Sequence, residues 1–167
     1  MNELEKFKQE SVKLGLCEEY RERWDKLQTK RQCIDMISTC QGAQYFISAK
    51  HIGIAPTNEF ILDEYGRYIN GYYTSMVQTS MNYSSQWYIE YDGTLIPESL
   101  FTYMLDCNVS INISDSNAYH FTFAGNTNVN LRIFSGAIVY IDVYGDNVKI
   151  SGDTDKVKIR KKDYNLK

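Results

Sequence analysis

Hydrophobic and polar residues alternate regularly in the C-terminal third of the chain, between Cys107 and Ile159. Apolar residues at every second position form six short runs, and the central residue of each run recurs after 10, 10, 10, 9 and 9 residues. Strict alternation is typical of a strand buried on one face. A fixed short period is typical of repeats that stack on their neighbours. The runs are Val109–Ile113, Tyr119–Phe123, Val129–Ile133, Val139–Val143, Val148–Ile150 and Val157–Ile159.

Two folds satisfy this alternation, and the spacing of the runs discriminates between them. In a β-solenoid the inward residues of successive coils stack into ladders, whereas in an antiparallel meander they line one side of a sheet. Hairpin loops usually vary in length, so the near-constant period favours the solenoid. None of the intervening residues is aliphatic, so we expect the outward face to be wet. Six strands alone would be marginally stable, so we also expect a cap or a partner chain.

The first 70 residues predict a compact bundle of four short helices with Trp24 near their centre. Asn2 is expected to cap the first helix, and Thr29 with Gln32 forms a capping box for the third. Gly42 is expected to end that third helix. The fold class is therefore α+β, with a small helical bundle followed by a solenoid-like repeat region.

The middle of the chain is rich in aromatic residues and nearly free of charge. No Lys or Arg occurs from Tyr68 to Leu131, and a hairpin is predicted around Asp92-Gly93. We therefore divide the chain into a helical anchoring module (1–70), a Tyr-rich junction (71–106) and the β-repeat (107–162). The aromatic side chains either pack inside the junction, bind a glycan, or contact another protein. The candidates for protein contact are Tyr68, Tyr72, Tyr73, Tyr83, Trp87 and Tyr88.

Composition excludes several classes of partner. The 167 residues carry a net charge of −3 with a pI near 5.4, so no global field attracts nucleic acid or an anionic membrane. No apolar run is long enough to span a bilayer, and the N-terminal residues lack the apolar segment of a signal peptide. We expect the chain to stay in a reducing compartment, with its four cysteines as buried free thiols.

No set of residues points to catalysis, a metal or a cofactor. His51 and His120 have no identifiable nucleophile or carboxylate partner in the sequence, and the cysteine spacings match no zinc motif. The acidic turns near the C-terminus are ordinary turn sequences. The basic residues from Lys156 to Lys162 are expected to discourage strand pairing at the end of the repeat, with an anionic partner site as the alternative.

Two segments of the chain resemble a known group of proteins. The first contains Leu16–Tyr20, Trp24, Lys30, Ile34-Asp35 and Gly42–Tyr45, and the second contains Phe60 and Tyr68–Tyr73, followed by short hydrophobic repeats. This order is similar to that of small uncharacterised proteins encoded by phages and prophages of Bacteroidota, including crAss-like phages. The resemblance implies a phage-encoded, virion-associated protein in which a helical module anchors a β-repeat tip, and it implies no catalytic residues.

These observations lead to an expected function that is structural. We expect a non-enzymatic virion protein, such as a head-fibre, capsid-decoration or tail accessory component, that is assembled in the host cytoplasm. Its partners would be other virion proteins or copies of itself, in a homo-oligomer or a larger assembly, with no cofactor, nucleic acid or membrane. The alternative is a soluble cytoplasmic protein of a mobile element that binds and modulates a host factor.

Overall fold

A computed structural model describes the backbone of residues 1–71, 73–78 and 81–166, and the side chains of residues 1–71 and 84–166. The chain divides into two compact units. Residues 1–68, joined by the C-terminal residues from Tyr164 on, form the helical unit, and residues 69–163 form the β unit. The class is α+β, as the sequence predicts.

Within the described residues the helical unit contains five α-helices, one more than predicted. The predicted cap at Asn2 and the predicted capping box at Thr29 are confirmed, and Asn2 also forms a capping box. The Asn2 side chain accepts a hydrogen bond from the Glu5 amide at 2.9 Å, while the Glu5 carboxylate accepts one from the Asn2 amide at 3.0 Å. Thr29 and Gln32 pair in the same way. The helices are α1 (Glu3–Lys13), α2 (Glu18–Asp25), α3 (Lys30–Ile37), α4 (Cys40–His51) and α5 (Asn58–Tyr65), and a 3₁₀ turn follows at Gly66–Tyr68.

Two predictions about this unit are wrong. Gly42 does not end α3, because Ser38 already does so and Thr39 caps α4, in whose first turn Gly42 is buried. A Cβ atom at Gly42 would lie 2.1 Å from the Met36 carbonyl oxygen, so the glycine allows the two helices to meet closely. Trp24 lies at the edge of the core rather than at its centre. It is only partly buried, with its ring 5.0 Å from that of Phe7.

The β unit consists of strands arranged in two sheets. The six-stranded sheet has the order β1-β2-β4-β6-β8-β10, and the four-stranded sheet has the order β3-β5-β7-β9. Among the described strands, β1 and β2 pair in antiparallel fashion and every other pair is parallel. The strands are β1 (Tyr73–Gln78), β2 (Met81–Ile89), β3 (Asp92–Leu95), β4 (Phe101–Leu105), β5 (Asn108–Ile113), β6 (Ala118–Ala124), β7 (Asn128–Ile133), β8 (Ile138–Tyr144), β9 (Lys149–Gly152) and β10 (Val157–Lys162).

This arrangement is a β-solenoid, so the solenoid prediction is confirmed and the meander is excluded. Each coil supplies one strand to each sheet, and Val109 lies beside Val129 of the next coil. The ten-residue period of the sequence is therefore half a coil. The repeat also begins earlier than predicted, because β2, β3 and β4 already belong to the first coils. Residues 71–106 are thus largely part of the solenoid rather than a separate junction.

The predicted hairpin at Asp92-Gly93 is wrong. The chain turns two residues earlier, at Glu90, which has a φ of 51°. The strand β3 that follows then belongs to the four-stranded sheet and does not pair with β2. The same left-handed conformation recurs at the corresponding corner of each later coil, at Asp106 (55°), Gly125 (64°) and Gly145 (81°). One residue with positive φ therefore redirects the chain from the six-stranded to the four-stranded sheet.

The interior is formed by inward residues that stack from coil to coil. Ile111, Phe121, Leu131 and Ile141 are each no more than 1% exposed. Outward residues behave differently on the two sheets. Those of β5, β7 and β9 are polar and exposed or partly exposed, as expected. Two of those in the six-stranded sheet, Thr122 and Asp142, are buried at 7% exposure each, so the prediction of a wet outward face is wrong there.

Two isoleucines of β8 provide a test of this ladder. Ile141 points inward and is 1% exposed, whereas Ile138 points outward and is 53% exposed. Ile141→Ala should lower the free energy of unfolding by about 2–5 kcal/mol, because it removes buried methyl groups and leaves a cavity. Ile138→Ala should change it by less than about 0.5 kcal/mol. Chemical denaturation checks both, and equal effects would contradict the solenoid register.

Candidate functional site

The last coil of the solenoid differs from the others because no further coil stacks on it within the residues that the structure describes. We call β9 and β10 the terminal coil. Ile159 is an inward residue that stacks on Ile141, yet it is 47% exposed whereas Ile141 is 1% exposed. Ile150 and Val157, also inward, are only partly buried. The terminal coil therefore exposes apolar side chains at inward positions. In the earlier coils the residues at these positions are buried under the coil that follows.

The strand β10 is also strongly basic. Four of its six residues are Lys or Arg. It lies at the edge of the six-stranded sheet and pairs with β8 on one side. In the described part of the chain, no strand pairs with its other side, so the backbone groups there are available to a further strand.

A cluster of charged side chains anchors β10 to the preceding coils. Arg160 donates two hydrogen bonds to Asp142, from Nε to Oδ1 at 2.8 Å and from its terminal nitrogen to Oδ2 at 3.0 Å. His120 Nε2 lies 2.9 Å from the same Oδ2. The three residues come from β10, β8 and β6, which are neighbours in the sheet. Asp142 therefore joins three successive coils.

The electrostatics of Asp142 reflect this arrangement. Burial by itself would raise the pKa of the carboxyl group, but the hydrogen bonds from Arg160 and His120 outweigh it and lower the pKa. The same contact raises the pKa of Arg160. Asp142 is 7% exposed, so a charged carboxylate at this depth depends on these two partners.

Sequence reasoning missed this cluster, although the spacing of His120 and Asp142, about two ten-residue units, could have indicated it. Residues one coil apart lie side by side, as His120 and Tyr140 do, so Asp142 is the diagonal neighbour of His120. The pair resembles the base and orienting carboxylate of a catalytic triad. Among the described residues, however, the side-chain contacts of His120 are Asp142 and the Phe101 ring, whose centroid lies 5.7 Å away. No serine or cysteine in this part of the chain hydrogen-bonds to it, so the cluster can hold a strand but lacks a nucleophile.

The four-stranded sheet carries a second candidate surface. Its outward residues form two rows across the strands and line a shallow groove. Asn108 donates a hydrogen bond to Asp92 at 3.3 Å within one row. This surface offers amides, hydroxyls and two charged groups, while the valines at its base, Val109 and Val129, are buried. The rows are Asp92, Asn108, Asn128 and Lys149, and Thr94, Ser110, Asn130 and Ser151.

Two of the predicted contact residues are interior residues. Trp87 is 1% exposed and stacks on Tyr103 with ring centroids 5.0 Å apart. Tyr88 is 6% exposed and belongs to the core of the solenoid, where burial raises its pKa to about 12. Neither presents a surface to another molecule in this structure. For Trp87 and Tyr88 the structure therefore favours packing inside the protein, the alternative named in the sequence analysis, over contact with another protein.

The other predicted contact residues remain candidates. Tyr68 lies in the 3₁₀ turn and is partly exposed. Tyr72 lies outside the described residues. Tyr73 and Tyr83 lie in β1 and β2, but their side chains are outside the described part. Their role in protein contact stays a prediction.

The cysteines and possible metal ligands give no further site. Cys17 and Cys40 are exposed and Cys33 is partly exposed, so the prediction of buried thiols holds only for Cys107. Burial raises the pKa of the Cys107 thiol to about 11, which keeps it protonated and unreactive. In the described residues no group of three or more His, Cys, Asp or Glu side chains could hold a metal ion. Likewise, no described helix is long and apolar enough to cross a membrane.

Comparison with known proteins adds no identification. No protein-family model matches the chain, and no curated protein or solved structure is significantly similar to it.

Removal of the Asp142 charge should loosen the terminal coil. Asp142→Asn should lower the free energy of unfolding by about 1–2 kcal/mol, since charge-assisted hydrogen bonds are lost but Arg160 remains well solvated. Asp146→Asn is the matched control. The Asp146 carboxylate is 94% exposed, and its ion pair with Lys161, at 3.4 Å, lies in solvent and contributes little to stability. Chemical denaturation at neutral pH measures both variants, and equal stabilities of wild type and Asp142→Asn would contradict the anchoring role.

The stabilities of wild type and Asp142→Asn should also depend differently on pH. The pKa of Asp142 is lower in the folded chain than its ordinary value. The contribution of Asp142 to stability is therefore fully present above about pH 4 and is lost as the pH falls through the folded-state pKa. The stability difference between wild type and Asp142→Asn should thus shrink on acidification from about pH 5 to pH 2. A difference that stays constant over this range would show that the charge is not responsible.

Proposed function

We propose that this protein is a non-enzymatic interaction protein that binds another protein through the terminal coil of its solenoid. The observation that carries the proposal is the exposure of Ile159, which is 47% exposed where its stacking neighbour Ile141 is 1% exposed. A solenoid coil is stable when both of its open sides are covered. An apolar end next to an unpaired strand edge is a surface that a partner would complete.

The energies available at this end fit an assembly contact. Covering the exposed half of one isoleucine contributes about 1 kcal/mol. Each backbone hydrogen bond to the free edge of β10 contributes about 0.5–1.5 kcal/mol. These gains are at most comparable with the cost of association, which is about 4–15 kcal/mol, so a lasting complex needs several contacts at once. Such multiple contacts are typical of a component held in a larger assembly.

The assembly that we propose is a phage virion, in which the protein is a head-fibre, capsid-decoration or tail accessory component. The resemblance of the two N-terminal segments to proteins of Bacteroidota phages and prophages supports this. A repeat fold with a helical module suits an anchored projection, and the partners would be other virion proteins or copies of itself. In this proposal the protein acts within the virion after assembly in the host cytoplasm.

The surroundings of the reactive side chains support a role without catalysis. The His120–Asp142 pair is engaged with Arg160. The Cys107 thiol is buried with a raised pKa. Neither of these two groups is therefore an activated nucleophile or a free acid–base pair.

The test is quantitative mass spectrometry of purified phage particles from the source of this sequence. We expect the chain in a fixed ratio to the major capsid protein that is reproducible between preparations and resists a high-salt wash. Loss of the chain on washing would indicate a contaminant. Its absence from particles, with abundant protein in the cytoplasm, would overturn the virion proposal and favour the binder of a host factor.

A further inference from the structure

The free edge of β10 alternates between two kinds of residue. Val157 and Ile159 lie at inward positions, above Val139 and Ile141 of the preceding coil. Lys158, Arg160 and Lys162 lie at outward positions, and Lys161 occupies the inward position above Val143. A strand placed beside β10 would follow the same alternation, because side chains in neighbouring strands of one sheet point to the same faces.

The positive charges along this edge are only partly compensated. Arg160 is paired with Asp142, and Lys161 reaches the exposed Asp146 at 3.4 Å. The Lys158 ammonium lies 5.2 Å from the centre of the Tyr140 ring, a contact that leaves its charge in place. Within the described residues, no carboxylate lies in salt-bridge distance of Lys158 or Lys162. The outward positions therefore favour an acidic neighbour.

We propose that the terminal coil binds an extended protein segment in which apolar and acidic residues alternate. The segment adds to β10 as a further strand of the six-stranded sheet. Its apolar side chains cover Val157 and Ile159, and its acidic side chains lie opposite Lys158 and Lys162. This assignment rests on the proposed function, because it names the chemistry of the partner at the same site.

The same charges disfavour two other occupants. A second copy of β10 would place Lys and Arg against Lys and Arg at close range, which is repulsive. A nucleic acid would satisfy the charges but would neither cover Ile159 nor pair with the backbone edge. An acidic strand meets all three requirements: apolar cover, backbone pairing and opposite charge.

Binding of synthetic peptides tests the assignment. The probe is a fluorescent peptide of about eight residues in which valine alternates with glutamate, titrated with the full chain by anisotropy. A second peptide carries lysine in place of glutamate, a third has the composition of the first with its valines grouped together, and a short single-stranded DNA serves as polyanion. The alternating acidic peptide should bind about tenfold more tightly than each of the others.

Variants of the chain locate the site. Lys158→Glu combined with Lys162→Glu should weaken binding of the acidic peptide about tenfold. Lys149→Glu, which changes the same charge on the other sheet of the same coil, should leave the affinity within about twofold. Far-ultraviolet circular dichroism and thermal unfolding confirm that each variant is folded. Ile159→Ser, which keeps every charge, should also weaken binding, because it removes the apolar contact.

Hydrogen exchange of the backbone distinguishes strand addition from loose electrostatic attraction. On binding, amides of β10 should gain protection, while those of β7 should not. Equal binding of the grouped-valine peptide or the DNA, or no added protection in β10, would overturn the assignment. That result would leave the virion proposal intact, because the chain's ratio to capsid protein in particles is measured without reference to this site.

Discussion

Every coil of this solenoid depends on the coil beyond it for cover. Inward side chains such as Phe123 and Ile141 are buried because apolar residues lie on both sides along the ladder. Burial of such side chains is the main favourable term in folding, whereas ordering the backbone opposes it at every residue. A stack of this kind can be extended by a further coil at its end. The last described coil is therefore covered on one side only, and its inward residue Ile159 is 47% exposed.

Charged hydrogen bonds hold the terminal coil in place where apolar cover is missing. Arg160 holds β10 in register by two hydrogen bonds to Asp142, and Asp142 also reaches back to His120 in β6. A buried carboxylate is costly unless its partners are close and well aligned, so the cluster fixes three strands at once. The end of the solenoid is therefore ordered by polar contacts on its outward face while its inward face still lacks a neighbour.

The basic residues of β10 have two consequences at the same edge. Two copies of this strand placed side by side would bring like charges together, which opposes strand addition between them. The basic residues also leave a positive row beside exposed apolar residues, which suits a partner of opposite charge. Under the proposed function, the same four side chains would oppose pairing of two copies of β10 and favour an acidic partner. This connects the anchoring cluster to the proposed role in an assembly.

The sequence by itself determined the inward residues and the period, because alternation and stacking depend on local spacing. It also determined the cap at Asn2 and the capping box at Thr29, which involve residues only three apart. Only the tertiary structure decided that one coil takes two of the ten-residue units and that Glu90, rather than Asp92-Gly93, turns the chain. The burial of Trp87 and the partners of His120 were likewise beyond the sequence, because they depend on which strands become neighbours across a coil.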